Sequence, residues 1–467
     1  MASNLESVAT ELAIIIGDCL DVNSICSLRL ASHSTARLFT PSLRPFVKGL
    51  HADLTEFTLS RLCDLAFNTE LGSAVRILRL DCVYFRTFDE PWVYNMGGKD
   101  VPWTEDQEPE QQQFAGQPMC KMLTKVLNGF PNVREIILAA CVATYDDERH
   151  VDLFAFKWTK DWLRAFAAYQ ALLSAIINSG TQLDSLVVYQ KLKKCSIPTH
   201  AITIGLLPIL HTTGFKAFGM KLKAFSLDLA MTTQPPRPNE TSLSISNEED
   251  VQLMLNHGAS TKNYRGGSEI DIEGVSLLLR LMPNLESLEI NLYPAASLDE
   301  EAYGAFLPTL FKDNWKLPRL KKLTFLGLTT THEALQGVLT RHAATLEEVS
   351  FDHVNLSSGS WNQVFETLSQ RMPLLSTLHL SLIATTSDPM EMNLEPADRR
   401  LDPIEKPEPH RVWNMETEDY ENCWVRRTID RDEIKRGLRF RPLQVPPSAP
   451  VLSLCHNFYT LDCSCCD

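Results

Sequence analysis

Several familiar signatures are missing from this chain, and each absence narrows what it does. There is no G-x-x-x-x-G-K-[ST] phosphate loop, no G-x-G-x-x-G after a strand, no H-E-x-x-H and no G-x-S-x-G elbow. Common nucleotide, metalloprotease and serine-hydrolase machinery is thereby excluded, and no enzyme is expected. No window approaches the roughly 20 apolar residues that a membrane helix needs. Basic charge is also short: 44 Lys and Arg stand against 58 Asp and Glu, a formal charge of −14. General affinity for nucleic acid or an anionic membrane would be opposed at long range, so neither is an expected partner. The 12 cysteines lack paired spacing through most of the chain. Without a secretory signal they read as reduced thiols in the cytoplasm or nucleus.

What is present is enough apolar residue, 44% of 467, to bury a large core, in two or more domains or one long repeat array. The opening stretch "TELAIIIGDCLDVNSICSLRL" (Thr10 to Leu30) is greasy but punctuated by Glu11, Asp18, Asp21 and Arg29. Val8, Leu12, Ile15, Ile16, Cys19 and Leu20 recur at three- and four-residue intervals, the spacing of one helix face. Asn23 or Ser24 is expected to cap a second helix carrying Ile25 and Leu28, and a third runs through Phe39, Leu43, Phe46 and Val47. The stretch has neither the basic leader nor the uninterrupted apolar run of a signal peptide.

Self-similarity follows. "LESLEI" from Leu285, "LKKLTF" from Leu320, "LEEVSF" from Leu346 and "LSTLHL" from Leu375 start 35, 26 and 29 residues apart. Weaker copies begin at Val75, Val133, Leu183 and Leu222. Each ends in the alternation of a short strand and is preceded by helical spacing, often with a proline between, as at Pro131, Pro283, Pro318 and Pro373. A unit of helix, turn and strand leaves an apolar flank that only the next unit covers, so stacking into a curved solenoid is the economical arrangement. The pattern resembles the irregular leucine-rich-repeat family. That resemblance implies an α/β fold with parallel strands and outer helices.

Upstream of these repeats, "VATELAIIIGDCLDVNSICSLRLASH" (Val8 to His33) resembles an F-box. It has Val8-Ala9 where Leu-Pro is usual, Ser24 where an acid often opens the second helix, and His33 in place of a basic residue. The resemblance implies a substrate-recruiting subunit of a Skp-cullin-F-box ubiquitin ligase, in which a Skp-type adaptor docks on the first helices and the repeats hold an unknown substrate protein. By resemblance the adaptor-facing residues are Val8, Ala9, Leu12, Ile15, Ile16, Leu20, Ile25 and Leu28. The alternative is a leucine-rich-repeat interaction scaffold without ligase association.

The expected organisation is an F-box-like unit over 1–50 and repeats over 51–386 with insertions near 89–118 and 232–268. A Pro- and charge-rich linker follows at 387–430, then a cap and Cys-rich tail at 431–467. If outward strand positions bind substrate, the candidates are Glu286, Glu289, Lys321, Lys322, Glu347, Glu348, Asp352 and His379, in alternating acidic and basic bands. No metal or cofactor is expected. "EIDIEG" (Glu269 to Gly274) opens like a calcium loop but reaches Arg280 where a bidentate Glu is needed. Cys455, His456, Cys463, Cys465 and Cys466 fit no C-x-x-C knuckle.

Overall fold

The computed structural model describes residues 8–85, 116–142, 158–190, 196–231, 272–294, 304–312, 315–381, 383–385, 392–396, 410–414, 419–423 and 426–442. The expected insertions near 89–118 and 232–268, the residues Glu269 to Asp271 and the tail beyond 442 lie outside these residues, apart from the start of one helix at Gln117. The chain is α/β and divides into two compact units, each built on a mostly parallel sheet. The first comprises Met1–Tyr145, Arg164–Leu192 and Thr212–Leu222, and the second the remainder.

In the first unit, three helices α1 (Thr10–Asp18), α2 (Val22–Ala31) and α3 (His33–Phe39) and the short α4 (Arg44–Val47) precede strand β1 (Gly49–Asp53). Helices α5 (Glu56–Phe67) and α6 (Thr69–Gly72), strand β2 (Ile77–Phe85), α7 (Gln117–Gly129), β3 (Glu135–Val142), the part of α8 (Trp158–Ser179) from Arg164 onward and β4 (Ser185–Val188) follow. All four strands run parallel in the order β1-β2-β3-β4. The second unit adds β5 (Ile197–Pro198), α9 (Thr199–Leu210), β6 (Ala224–Met231), α11 (Glu273–Arg280), β7 (Ser287–Pro294) and α12 (Phe306–Leu310), with α10 (Thr213–Gly219) falling in the first unit. It continues through β8 (Lys322–Leu326), β9 (Thr329–Thr331), α13 (His332–Arg341), β10 (Glu348–Asp352), β11 (Asn355–Ser358), α14 (Trp361–Arg371), β12 (Thr377–Ser381) and β13 (Ala384–Thr385). Strands β6, β7, β8, β10 and β12 are parallel neighbours, and β9, β11 and β13 form a second small parallel sheet.

All eight motif copies become strands, and in every copy the strand begins at the third residue. The first, fourth and sixth positions are buried throughout: Leu320, Leu323 and Phe325 in one copy, Leu346, Val349 and Phe351 in the next. The copies pair in register, with Ser287 opposite Lys322, Lys322 opposite Glu348 and Glu348 opposite Thr377. One backbone device recurs. Within each unit the carbonyl of a copy's second residue accepts the N–H groups of the second and third residues of the next copy: in the second unit Glu286 from Lys321 and Lys322, Lys321 from Glu347 and Glu348, Glu347 from Ser376 and Thr377. In the first unit the same device gives away a ninth copy, Val47-x-x-Leu50-x-Ala52, because the Lys48 carbonyl accepts from Arg76 and Ile77.

The eighth position turns the chain. There the N–H groups of Gly327 and His353 donate to Asp352 and Ser381 carbonyls at 2.9 Å. Both residues have positive φ, 71° and 51°. Gly327 is required at its turn, since a Cβ would run into the Leu292 carbonyl oxygen. The helices that follow then start on side-chain caps: Thr331 Oγ1 accepts from Ala334 N–H for α13, and Ser360 forms a reciprocal box with Gln363 for α14.

Two expectations change. The stretch 387–430 is not wholly linker, because it contains β14 (Met392–Pro396), β15 (His410–Asn414), β16 (Asp419–Cys423) and β17 (Arg426–Asp430). β17 pairs antiparallel with β12 and satisfies the edge that the last parallel strand would leave open. The helix and strand expected after it are present as α15 (Arg431–Arg436) and β18 (Leu438–Pro442), with Ile429 and Ile434 buried. The N-terminal helices also do not form a core of their own: Ala13, Ile25, Phe39 and Leu43 share one cluster with Leu71, and Leu65 packs against it. A unit of about 50 residues buries too little apolar surface alone.

Replacing Leu323 with Ala removes side-chain volume from a fully buried rung and is expected to cost about 2–5 kcal/mol, read by denaturant unfolding. His342 gives a second expectation. It is buried, its Nε2 accepts the Leu317 N–H at 3.1 Å and its Nδ1 lies 2.9 Å from the Val338 carbonyl. Burial is the largest cause holding its pKa below the usual histidine value. A depressed folded pKa means that the unfolded chain binds the proton first, so this contribution to stability is complete above about pH 6.5 and is lost as pH falls through the folded value. His342→Gln should flatten the pH dependence of unfolding in that window; an unchanged slope would assign the dependence elsewhere.

Candidate functional site

Helix α1 determines which of the N-terminal residues face solvent. Ala13 and Gly17 are buried, and a Cβ at Gly17 would collide with the Ser42 side chain. The helix therefore lies close against the Pro41–Leu43 turn through its small residues. Its large residues are turned outward: Leu12 is 56% exposed, Ile15 59% and Ile16 40%. With the exposed Cys19 they lie on one side of the helix by their three- and four-residue spacing. Ile14, Val22 and Leu30 are exposed as well, and periodicity did not single them out as surface residues.

The eight expected adaptor-facing residues thus separate. Ala9, Leu12, Ile15 and Ile16 are exposed; Val8, Leu20 and Leu28 are partly buried against the core cluster; Ile25 is fully buried in it. Ile25 belongs to the chain's own interior because α2 presents it to Ala13 and Phe39 in that cluster. The cap of α2 is Asp21, whose carboxylate accepts the Ser24 N–H at 2.7 Å, rather than Asn23 or Ser24. That hydrogen bond is the largest cause holding the Asp21 carboxyl below its ordinary pKa. An ionised acceptor at a helix N-terminus gains from both the hydrogen bond and the helix dipole.

The second candidate surface is the outward side of the β7–β12 strands. Here the charged residues meet one another. Lys321 Nζ lies 3.0 Å from Glu286, Lys322 Nζ 2.6 Å from Glu348, and His379 Nε2 3.5 Å from the same Glu348 carboxylate. The Glu286 hydrogen bond, with the Glu286 and Glu347 charges behind it, raises the Lys321 pKa. Asp352 takes the His353 ring at 2.9 Å, and Glu289 accepts from Asn291 Nδ2 at 3.2 Å. That same amide reaches the buried Asp228 at 2.5 Å. The expected alternating bands exist, but much of their charge is cancelled between neighbouring strands.

One further cluster escaped the sequence reading. His51 and Asp53 of β1 and Asp81 of the neighbouring β2 offer ligand atoms within 4.8 Å of one another. The nearly buried Asp81 already receives His51 Nε2 at 2.5 Å and Arg79 Nε at 3.3 Å. The arginine supplies the positive charge a cation would bring, so Asp81, paired with Arg79 and hydrogen-bonded to His51, suits a structural ion pair better than a metal centre. Register alone joins them, 28 to 30 positions apart, which no short motif could reveal.

Glu348→Gln removes the acceptor of two rungs at once, yet both partners are substantially exposed. The expected loss of stability is below about 1 kcal/mol by chemical denaturation; a much larger loss would show that the rungs carry the register. No protein-family model and no curated protein matches the chain.

Proposed function

We propose that the chain recruits a target protein to a cullin-based ubiquitin ligase. In this reading α1 and its neighbours dock on a Skp-type adaptor, and the strand-and-helix units are successive turns of a leucine-rich-repeat solenoid that holds the target. Transfer chemistry then belongs to other subunits. The observation that carries the reading is the reversed amphipathicity of α1: its small residues face the fold while Leu12, Ile15 and Ile16 face solvent. Large aliphatic residues grouped on an outer helix face are a common mark of a protein-binding surface. The in-register motif copies support the repeat reading independently.

A second reading has its own observation. Ile25, Leu20 and Leu28 are engaged in a cluster with Leu71, and Leu65 packs there too, as a capping subdomain would engage them. This favours a repeat scaffold without ligase association.

Tagged full-length protein with Leu12→Asp and Ile16→Asp is expected to keep its melting temperature within about 2 °C, since both side chains are exposed, and to lose capture of a purified Skp-type adaptor. Undiminished capture would move the contact elsewhere. Failure of the wild-type chain to capture the adaptor would leave the scaffold reading.

A further inference from the structure

We infer that the second unit carries a binding site for a phosphate monoester between its helices α13 and α14, separate from both surfaces described above. A shallow groove of about 660 Å³, largely open to solvent, lies there. Lys316 reaches it from the segment before β8, Arg341 from the last turn of α13 and Arg371 from the last turn of α14, while Glu333 is the one acid in its lining. Three cations against one carboxylate leave a surplus of two positive charges in a chain whose formal charge is −14.

The walls are fixed before any ligand arrives. Gln336 Nε2 hydrogen-bonds the Thr367 hydroxyl and lies 3.4 Å from the Gln363 carbonyl, tying α13 to α14. Arg341 is held above the Phe311 ring, 5.9 Å from its centroid, and its Nη1 donates to the Phe311 carbonyl at 3.2 Å. Lys316 and Arg371 make no ion pair among the described residues.

The helix dipole gives an ordinary reason for arginines at helix C-termini. It does not explain Gly337. This residue sits inside α13, where glycine weakens a helix relative to alanine, and a Cβ built on it would meet nothing within 4 Å. Packing therefore does not demand the glycine. It lines the groove beside Thr340, so its missing side chain leaves backbone surface open to a ligand.

The charge surplus matches a phosphate monoester, which carries about −1.5 to −2 at neutral pH, better than the single charge of a carboxylate. Guanidinium groups pair with phosphate oxygens through two parallel hydrogen bonds, and Lys316 adds a point charge. The phosphate can belong to a phosphorylated side chain of a polypeptide or to a small organic molecule.

Isothermal titration of the full chain at low salt tests this with N-acetyl-phosphoserine amide, glucose 6-phosphate and N-acetyl-serine amide. Both phosphates should bind, more weakly as salt rises, and the serine compound should not. Tighter binding of the phosphoserine compound assigns a polypeptide source, and tighter binding of the sugar phosphate assigns a small molecule. Lys316→Gln and Arg371→Gln should each weaken binding about fivefold or more. Gly337→Ala should raise the melting temperature by roughly 2 °C and still weaken binding. No phosphate binding by the wild-type chain, equal binding by the Lys316→Gln, Arg371→Gln double variant, or a stabilised Gly337→Ala protein with unchanged affinity would each overturn the proposal.

Discussion

The carbonyl that accepts two N–H groups at the entrance of each strand sets the terms for everything around it. Because Glu286, Lys321 and Glu347 each play this part for the next copy, neighbouring strands start level with one another. Level strands place their fourth and sixth residues side by side, so Leu323 lies next to Leu288 and Val349, and Phe325 next to Ile290 and Phe351. A slip of one residue would turn these side chains outward and bring lysine and glutamate inward, at a cost no surface pairing could offset. The apolar rows and the backbone device therefore enforce each other.

The same constraint decides the fate of the charged residues. Level strands put the third and fifth positions of adjacent copies in lateral contact, so Lys322 meets Glu348 and His379 reaches the same carboxylate. Opposite charges at these positions stabilise the pairing slightly, and like charges would weaken it. Glu286 and Lys321, at the second position, pair in the same manner. Residues that read in sequence as bands awaiting a partner are largely consumed in holding copy against copy.

The strands of the motif copies were legible because their signal is local and dense: one apolar residue at the first, fourth and sixth positions suffices to place a strand. Val47-x-x-Leu50-x-Ala52 escaped because Gly49 and Ala52 dilute that signal. The short strands β9 and β11, with Thr329–Thr331 and Asn355–Ser358, are too brief and polar to show alternation, and only the turn at Gly327 and His353 directs them. The N-terminal helices were legible as helices, but periodicity tells which residues share a side and not which side is covered. That choice rests on Gly17 fitting against Ser42, a contact between residues 25 positions apart. Likewise the cluster of His51, Asp53 and Asp81 and the groove of Lys316, Arg341 and Arg371 exist only once distant segments are level.

These observations separate the two sides of the second unit. On the sheet side, Lys321 and Lys322 already have carboxylate partners, so an incoming anionic partner would have to displace Glu286 and Glu348, exchanging one exposed ion pair for another with little net gain. On the helix side, Gln336 and Phe311 hold the walls and one arginine in place, while Lys316 and Arg371 pair with no carboxylate among the described residues. An incoming anion there meets the charges of Lys316 and Arg371, which form no ion pair among the described residues. Attraction for an anion on that side has to come from the side-chain cations themselves, because Arg341 and Arg371 stand at helix C-termini, whose dipoles disfavour negative charge.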